Sequence, residues 1–181
     1  MKLLNTDISG LIQVELEPHI DNRGMFKRSF CKKTFRKAGI SFDPVQSNIS
    51  ENKKQHTLRG FHYRVGKNNE AKLIVPILGE IYNVVIDLRR NSKTFLSYFS
   101  VNISASQNQC LLVPEGCANA FLTLQQNTII HYQMGDYFEP GSYRGFKFND
   151  PFFKLQWPHE PDVVSVQDLN YPSFDPETDL D

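Results

Sequence analysis

Five histidines, at positions 19, 56, 62, 131 and 159, are the residues best suited to moving protons near neutral pH. No two of them sit at the i, i+2 or i, i+4 spacing that lets paired rings grip one metal from a strand or a helix, which disfavours metal catalysis. Cys31, Cys110 and Cys117 form neither a Cys-x-x-Cys pair nor an even set, so they read as reduced, mostly buried thiols rather than a disulfide frame or zinc knuckle. A Gly-x-Ser-x-Gly elbow, a Walker loop and a Gly-x-Gly-x-x-Gly turn are all missing, so acyl-serine, P-loop and dinucleotide chemistry lack their signatures. Acid–base chemistry is what the residues leave. Its strongest candidate is Leu58-Arg59-Gly60-Phe61-His62-Tyr63-Arg64, where two guanidinium groups flank one imidazole. As a strand, this segment would turn Arg59, Phe61 and Tyr63 to one face and Gly60, His62 and Arg64 to the other, with Gly60 leaving room beside His62. Taken alone, such a segment is more often a solvated edge than a site. Lys72 opens the apolar run Lys72-Leu73-Ile74-Val75, either snorkelling to water or pointing into a cavity that holds an anion. Tyr132, Tyr137 and Tyr143, near Asp136 and Arg144, could supply phenolic acids or an amphipathic rim.

The elements that must position these groups are strands. Apolar and β-branched runs are expected as strands from Leu11 to Leu16, Met25 to Phe30, Leu73 to Leu78, Ile81 to Leu88, Tyr98 to Ile103, Gln109 to Pro114, Phe121 to Leu124 and Ile129 to Gln133. Gly-rich or polar breaks separate them, and no long helical period intervenes that could supply parallel crossovers, so the fold class is all-β, a sandwich or barrel. One helix is expected over roughly Lys32 to Ala38, a surface element with four Lys or Arg residues that runs into Gly39 as its stop. Half of the ten prolines lie from Pro151 onward, and Ser173 to Asp181 is acidic, which suggests a packed C-terminal segment and then a loose tail over 172–181. At 181 residues one domain, 1–181, is the default. Twenty basic and twenty acidic residues cancel, which excludes the global positive field that nucleic acid or an anionic membrane would need. The first residues turn polar too soon for a signal peptide and no run spans a bilayer, so a cytoplasmic protein is expected.

Further segments, in order, carry a resemblance. They are Asp21-Asn22-Arg23-Gly24-Met25-Phe26, Gln46-Ser47-Asn48-Ile49-Ser50, Leu58-Arg59-Gly60-Phe61-His62, Lys72-Leu73, Gly79 to Arg89, Val113-Pro114-Glu115-Gly116, Tyr132, Asp136-Tyr137, Asp150-Pro151, Trp157-Pro158 and Ser165-Val166-Gln167-Asp168. Together they resemble the dTDP-4-dehydrorhamnose 3,5-epimerase family, the RmlC-like group of cupin-fold sugar epimerases, over roughly Asp21 to Pro172. The resemblance implies a jelly-roll barrel with an N-terminal β arm, a few short helices and no cofactor or metal, working as a homodimer. The implied substrate is a nucleoside diphosphate bearing a 4-keto-6-deoxy sugar, in deoxysugar biosynthesis for a surface glycan such as O-antigen. A ketone at C4 acidifies the hydrogens at C3 and C5, so a base can remove one and an acid can return it on the opposite face. Carried over by resemblance, His62 is the base, Asp168 fixes its tautomer, Lys72 stabilises the enolate oxygen and Tyr132 is the acid. Arg23 and Arg59 are implied to grip the diphosphate, with Phe26, Gln46, Asn48 and Tyr137 among the substrate contacts. The remaining histidines default to structural or solvated positions.

Two departures bear on the substrate. Members usually carry His in the run that here reads Gly116-Cys117-Ala118-Asn119-Ala120-Phe121, and Asn119 can hydrogen-bond a sugar oxygen but cannot carry a proton charge. Inversion at C3 alone, rather than at C3 and C5, is therefore an open outcome. Where members commonly carry a Glu that accepts the thymine N–H, this chain has Arg28, which only donates and so suits the acceptor edge of cytosine, favouring a CDP-linked sugar over a dTDP-linked one. The rival readings are a sugar-nucleotide 3,4-ketoisomerase, disfavoured because Arg64 rather than a second histidine follows His62, a non-catalytic sugar-nucleotide binder, and a metal-dependent cupin oxygenase.

Overall fold

The computed structural model describes residues 1–65 and 70–177. Its strands, in chain order, are β1 (Lys2–Asn5), β2 (Ile12–Glu15), β3 (His19–Asp21), β4 (Gly24–Phe26), β5 (Gln46–Asn52), β6 (Thr57–Arg64), β7 (Lys72–Leu78), β8 (Glu80–Asp87), β9 (Tyr98–Ser104), β10 (Gln109–Val113), β11 (Cys117–Thr123), β12 (Thr128–Met134), β13 (Tyr143–Gly145) and β14 (Val163–Val164), with helices α1 (Lys32–Lys37) and α2 (Val166–Leu169). One sheet runs β1-β2-β10-β7-β12-β5, and a second runs β13-β6-β11-β8-β9 with β14 beside β6. The short hairpin β3–β4 belongs to neither. All neighbouring strands pair antiparallel except β14, which runs parallel to β6. The result is the all-β jelly roll expected from the sequence.

The contiguous apolar runs follow from burial on both faces of each sheet. Ile74, Leu111 and Ile130 of the first sheet meet Ile81, Val85 and Phe121 of the second in the core between them. Leu73 and Val75 turn the other way and are covered by Phe35 and Phe42. On the far side of the second sheet, Phe61, Ala118 and Ala120 pack under Phe146, Phe153 and Phe174. Strict polar–apolar alternation is therefore absent from β7 and β11.

Helix α1 forms where the basic run predicts it, ends at Lys37 with Ala38 as its C-cap, and is followed by Gly39 at φ +77°. It is more than a surface element: Phe35 is fully buried and lies edge-on to Phe30 at 5.1 Å, an apolar burial contributing roughly 2 to 3 kcal/mol. Two expectations are corrected. Strand character from Met25 stops at Phe26, and the chain then leaves the hairpin for α1. The expected loose tail is docked at its start, since Phe174 is buried among aromatic rings and its backbone N–H donates to Asp150 at 2.7 Å. The end of that expected tail, 178–181, lies outside the described residues.

Candidate active site

Strand β6 carries His62 into the space between the sheets by way of a bulge. Against β11, His62 pairs with Asn119 while Arg59 pairs with Phe121, so β6 spends one residue more than its partner over this interval. Gly60 makes this possible: it sits at φ +115°, and a Cβ there would lie 2.6 Å from both the Ala120 Cβ and the Asn119 carbonyl oxygen. The bulge overturns the alternation read from sequence. Arg59 was expected on the face of Phe61 and Tyr63, yet it lines the same cavity as His62, while Phe61 and Tyr63 pack into the aromatic cluster behind the sheet.

That cavity, about 670 Å³, is walled by both sheets. Arg59, His62, Asn119 and Tyr143 come from the second sheet, and Asn48, Lys72 and Tyr132 from the first. Asp168 reaches His62 because β14 pairs with the start of β6, Val163 opposite Thr57 and Val164 opposite Leu58, and thereby docks α2 beside it. Ser165 caps α2 by accepting from the Asp168 backbone N–H at 3.0 Å. The buried Asp168 carboxylate then meets His62 Nε2 at 2.8 Å through Oδ1 and accepts from the Gly60 N–H at 3.2 Å through Oδ2. Burial alone pushes this carboxyl up, but the hydrogen bond and charge of His62, with the Gly60 and Ser165 contacts, hold it below the usual carboxylate range. With the Nε2 proton held toward Asp168, Nδ1 is left as the basic nitrogen.

On the opposing sheet, burial pushes the Tyr132 phenol well above its ordinary range, partly offset by the Arg59 charge, so it stays protonated at neutral pH. Burial pulls the Lys72 ammonium down, opposed foremost by Glu70; its side chain takes the cavity alternative rather than snorkelling. Arg59 donates through Nε to Asn52 at 2.8 Å, leaving its terminal nitrogens for a ligand. Asn119 spends its amide N–H group on Asn83 Oδ1 at 2.8 Å and the Val84 carbonyl at 3.1 Å, so it offers the cavity an acceptor oxygen.

The family model for dTDP-4-dehydrorhamnose 3,5-epimerase matches residues 5–176. The chain belongs to this family. A dTDP-4-dehydrorhamnose 3,5-epimerase of Salmonella typhimurium is 33% identical over 177 residues, which is 97% of this chain and 96% of that one. The crystal structure of the Bacillus anthracis dTDP-4-dehydrorhamnose 3,5-epimerase, with TDP and PPi bound, superposes with a TM-score of 0.92 at 32% identity, covering 96% of this chain and 99% of that one. ChmJ, a 3'-monoepimerase from Streptomyces bikiniensis in complex with dTDP-quinovose, has a TM-score of 0.86 at 29% identity, covering 93% and 85%. One fold thus serves relatives described as 3,5-epimerases and as a monoepimerase.

Within this epimerase-family chain, His62, Asp168, Lys72, Tyr132, Arg59, Asn119 and Asn48 come together. Gln46 stands behind Asn48, donating to it at 3.2 Å and accepting from the Phe138 N–H at 3.0 Å. Arg23, Phe26 and Arg28 lie on or just after the β3–β4 hairpin, exposed and outside this cavity, with Arg23 paired to Asp21 at 2.6 Å. Tyr137 is also exposed, and its neighbour Phe138 lines the wall instead. Asp136 pairs with Arg64 at 2.9 Å, while Arg144 donates to the Gly141 carbonyl at 2.8 Å. His56 and His159, expected to be structural or solvated, stack at 4.4 Å, with His56 bound to Asp162. Sequence reasoning missed Tyr171, edge-on to His62 at 5.9 Å and bound by Gln167 at 2.8 Å, because an isolated tyrosine in a proline-rich stretch carries no signal. Among the described residues, no three His, Cys, Asp or Glu side chains gather as a metal-holding group, and no helix is long and apolar enough to cross a membrane.

Proposed function

We propose that this protein epimerises a nucleoside-diphosphate 4-keto-6-deoxy sugar by proton transfer through an enolate. The observation that carries the reading is that a carboxylate-held imidazole and a protonated phenol enter one cavity from opposed sheets. His62 Nδ1 takes the proton beside the C4 ketone, and Asp168 stabilises the imidazolium that forms. Lys72 faces the growing charge on the keto oxygen. Tyr132 returns a proton from the other side, which inverts the carbon. Arg59 holds the diphosphate, with Asn48, and Asn119 accepts from a sugar hydroxyl.

C3 is the carbon we assign, and Asn119 supports inversion there alone, because a neutral amide, unlike a histidine, cannot take up a proton charge beside a second enolisation. Arg28 supports a cytosine base, although the B. anthracis and ChmJ relatives are described with TDP and a dTDP-sugar. Arg23, Phe26 and Arg28 reach a substrate from the hairpin of a second subunit in this reading, which makes the working form a cytoplasmic homodimer in deoxysugar synthesis for a surface glycan. The test is incubation with CDP-, dTDP-, UDP- and GDP-linked 4-keto-6-deoxy sugars in heavy water, read by NMR, beside calorimetry of the free nucleotides. Deuterium at C3 only and tightest binding of CDP are expected. Exchange at both C3 and C5 removes the Asn119 argument, preference for dTDP removes the Arg28 argument, and exchange with none of the sugars removes the epimerase reading.

A further inference from the structure

Behind the cavity wall sits a carboxylate that the proton-transfer scheme does not use. Glu70, two residues before Lys72, is 5% exposed. Its Oε2 accepts from the Tyr143 hydroxyl at 2.7 Å, and its Oε1 has no hydrogen-bond partner among the described residues. A buried carboxylate with an unused oxygen is held at a cost, so something nearby must offset its charge. Arg64 is one such cation, its guanidinium 6.0 Å from the Tyr143 ring centroid and under the influence of the Glu70 charge, though its terminal nitrogens bond Asp136 at 2.9 Å and Glu139 at 3.0 Å. The other cation is Lys72, which lines the cavity beside Tyr143 and makes no ion pair or hydrogen bond among the described residues.

We propose that Glu70 is a positioning residue for this cavity: it holds the Tyr143 proton away from the ligand and supplies the negative charge that keeps Lys72 an ammonium. Tyr143 then meets a ligand through its oxygen, as an acceptor for a sugar hydroxyl, and Lys72 meets it as a cation. The other ionisable groups around Lys72 cannot do this. Cys117 on β11 is pushed up to about 12 by burial and stays a neutral thiol, Tyr132 on β12 stays a neutral phenol, and Arg59 and His62 across the cavity add no negative charge. Burial pulls the Lys72 ammonium down, and Glu70 is the foremost influence holding it up.

The role in catalysis rests on the epimerase reading, but the charge coupling is measurable without any substrate. The protonation of Lys72 is followed by NMR of labelled lysine side chains in the full chain, its signal assigned by its loss in Lys72→Met. In Glu70→Gln the Lys72 midpoint is expected to fall by about one pH unit, and in Tyr143→Phe, which leaves the carboxylate in place, it should move little. An unchanged midpoint in a folded Glu70→Gln protein overturns the proposal. Should that variant fail to fold, Lys72→Met gives the same coupling from the other side, because linkage between two sites is reciprocal, and an unmoved Glu70 titration there overturns it. With a turned-over sugar nucleotide, Glu70→Gln should shift the alkaline limb of kcat to lower pH by the same amount. Tyr143→Phe should raise KM roughly fivefold with that limb unmoved. A merely structural Glu70 would change the melting temperature and neither midpoint nor limb, and absence of turnover by the unmodified protein counts against the epimerase reading alone.

Discussion

In the proposed reaction His62 can act as the base only if its ring is held in one tautomer, and Asp168 is the neighbour that holds it. Asp168 takes Nε2 at 2.8 Å and is itself held by the Gly60 N–H and the cap of a four-residue helix, so the ring can neither turn nor choose its tautomer freely. Replacing that carboxylate by an amide keeps the shape but allows the side-chain NH2 to donate to Nε2, which moves the ring proton to Nδ1, where the base must be. Asp168→Asn is therefore expected to lower kcat by roughly 10² to 10⁴-fold with KM little changed, measured by steady-state kinetics. An equal loss in kcat and gain in KM would place Asp168 in binding instead. His62 was singled out from sequence by residue type and by its two flanking arginines, but its partner could not be. Asp168 lies in a segment with no periodic pattern, on a helix too short for one, and only the likeness of Ser165-Val166-Gln167-Asp168 to the family pointed to it.

Elements explain the misplacement of Arg59 in the reading of the site. Period-two alternation assigned Arg59 to the face away from His62, and the bulge at Gly60 returned it. A single inserted residue is invisible to hydrophobic pattern, because it changes register without changing composition. The glycine is where this can be tested: Gly60→Ala puts a Cβ 2.6 Å from Ala120 and from the Asn119 carbonyl, at a φ that side chains avoid. A loss of about 2 to 4 kcal/mol in denaturant unfolding is expected. Activity should fall with it, since β6 and β11 carry His62 and Asn119. At the end of β8, Asp87 is a second element-scale test. Burial would raise its carboxyl, but hydrogen bonds from Arg89, Ser92 and Thr94 bring it down to about 2. A carboxyl depressed in the fold stabilises it above the unfolded value near 4 and loses that contribution as pH falls toward 2. Unfolding midpoints measured between pH 5 and pH 2 should lose about 2 kcal/mol through this group, and Asp87→Asn should flatten that part of the curve.

For the whole molecule, strand runs such as Leu73 to Leu78 and Ile81 to Leu88 were legible because burial on both faces writes long apolar stretches. Strands β1 and β5 were not, since their residues are largely polar or exposed and pairing alone defines them, and β14 is only two half-buried valines, too short to write a pattern. The covering role of Phe35 and Phe174 was also hidden, because an apolar residue in a basic helix or an acidic tail reads locally as an exception. On the β3–β4 hairpin two large apolar side chains, Ile20 and Phe26, are 76% and 70% exposed. In the dimer reading this hairpin is covered by a second copy, so sedimentation equilibrium should give a dimer, and Ile20→Ser with Phe26→Ser should raise the dissociation constant at least tenfold. A monomer at micromolar concentration would remove the shared site.

The most direct test compares solvent deuterium uptake at C3 with inversion at C3, using a keto-sugar nucleotide and the unmodified protein, His62→Asn and Tyr132→Phe. If His62 removes the proton from one side and Tyr132 returns it from the other, the unmodified protein incorporates deuterium and inverts together. His62→Asn should do neither, losing at least about 10²-fold in both. Tyr132→Phe should still exchange, as the imidazole returns a solvent deuteron to the face it came from, while inversion is lost. Exchange that survives in His62→Asn, or inversion that survives in Tyr132→Phe, would contradict the assignment of base and acid to opposite walls of the cavity.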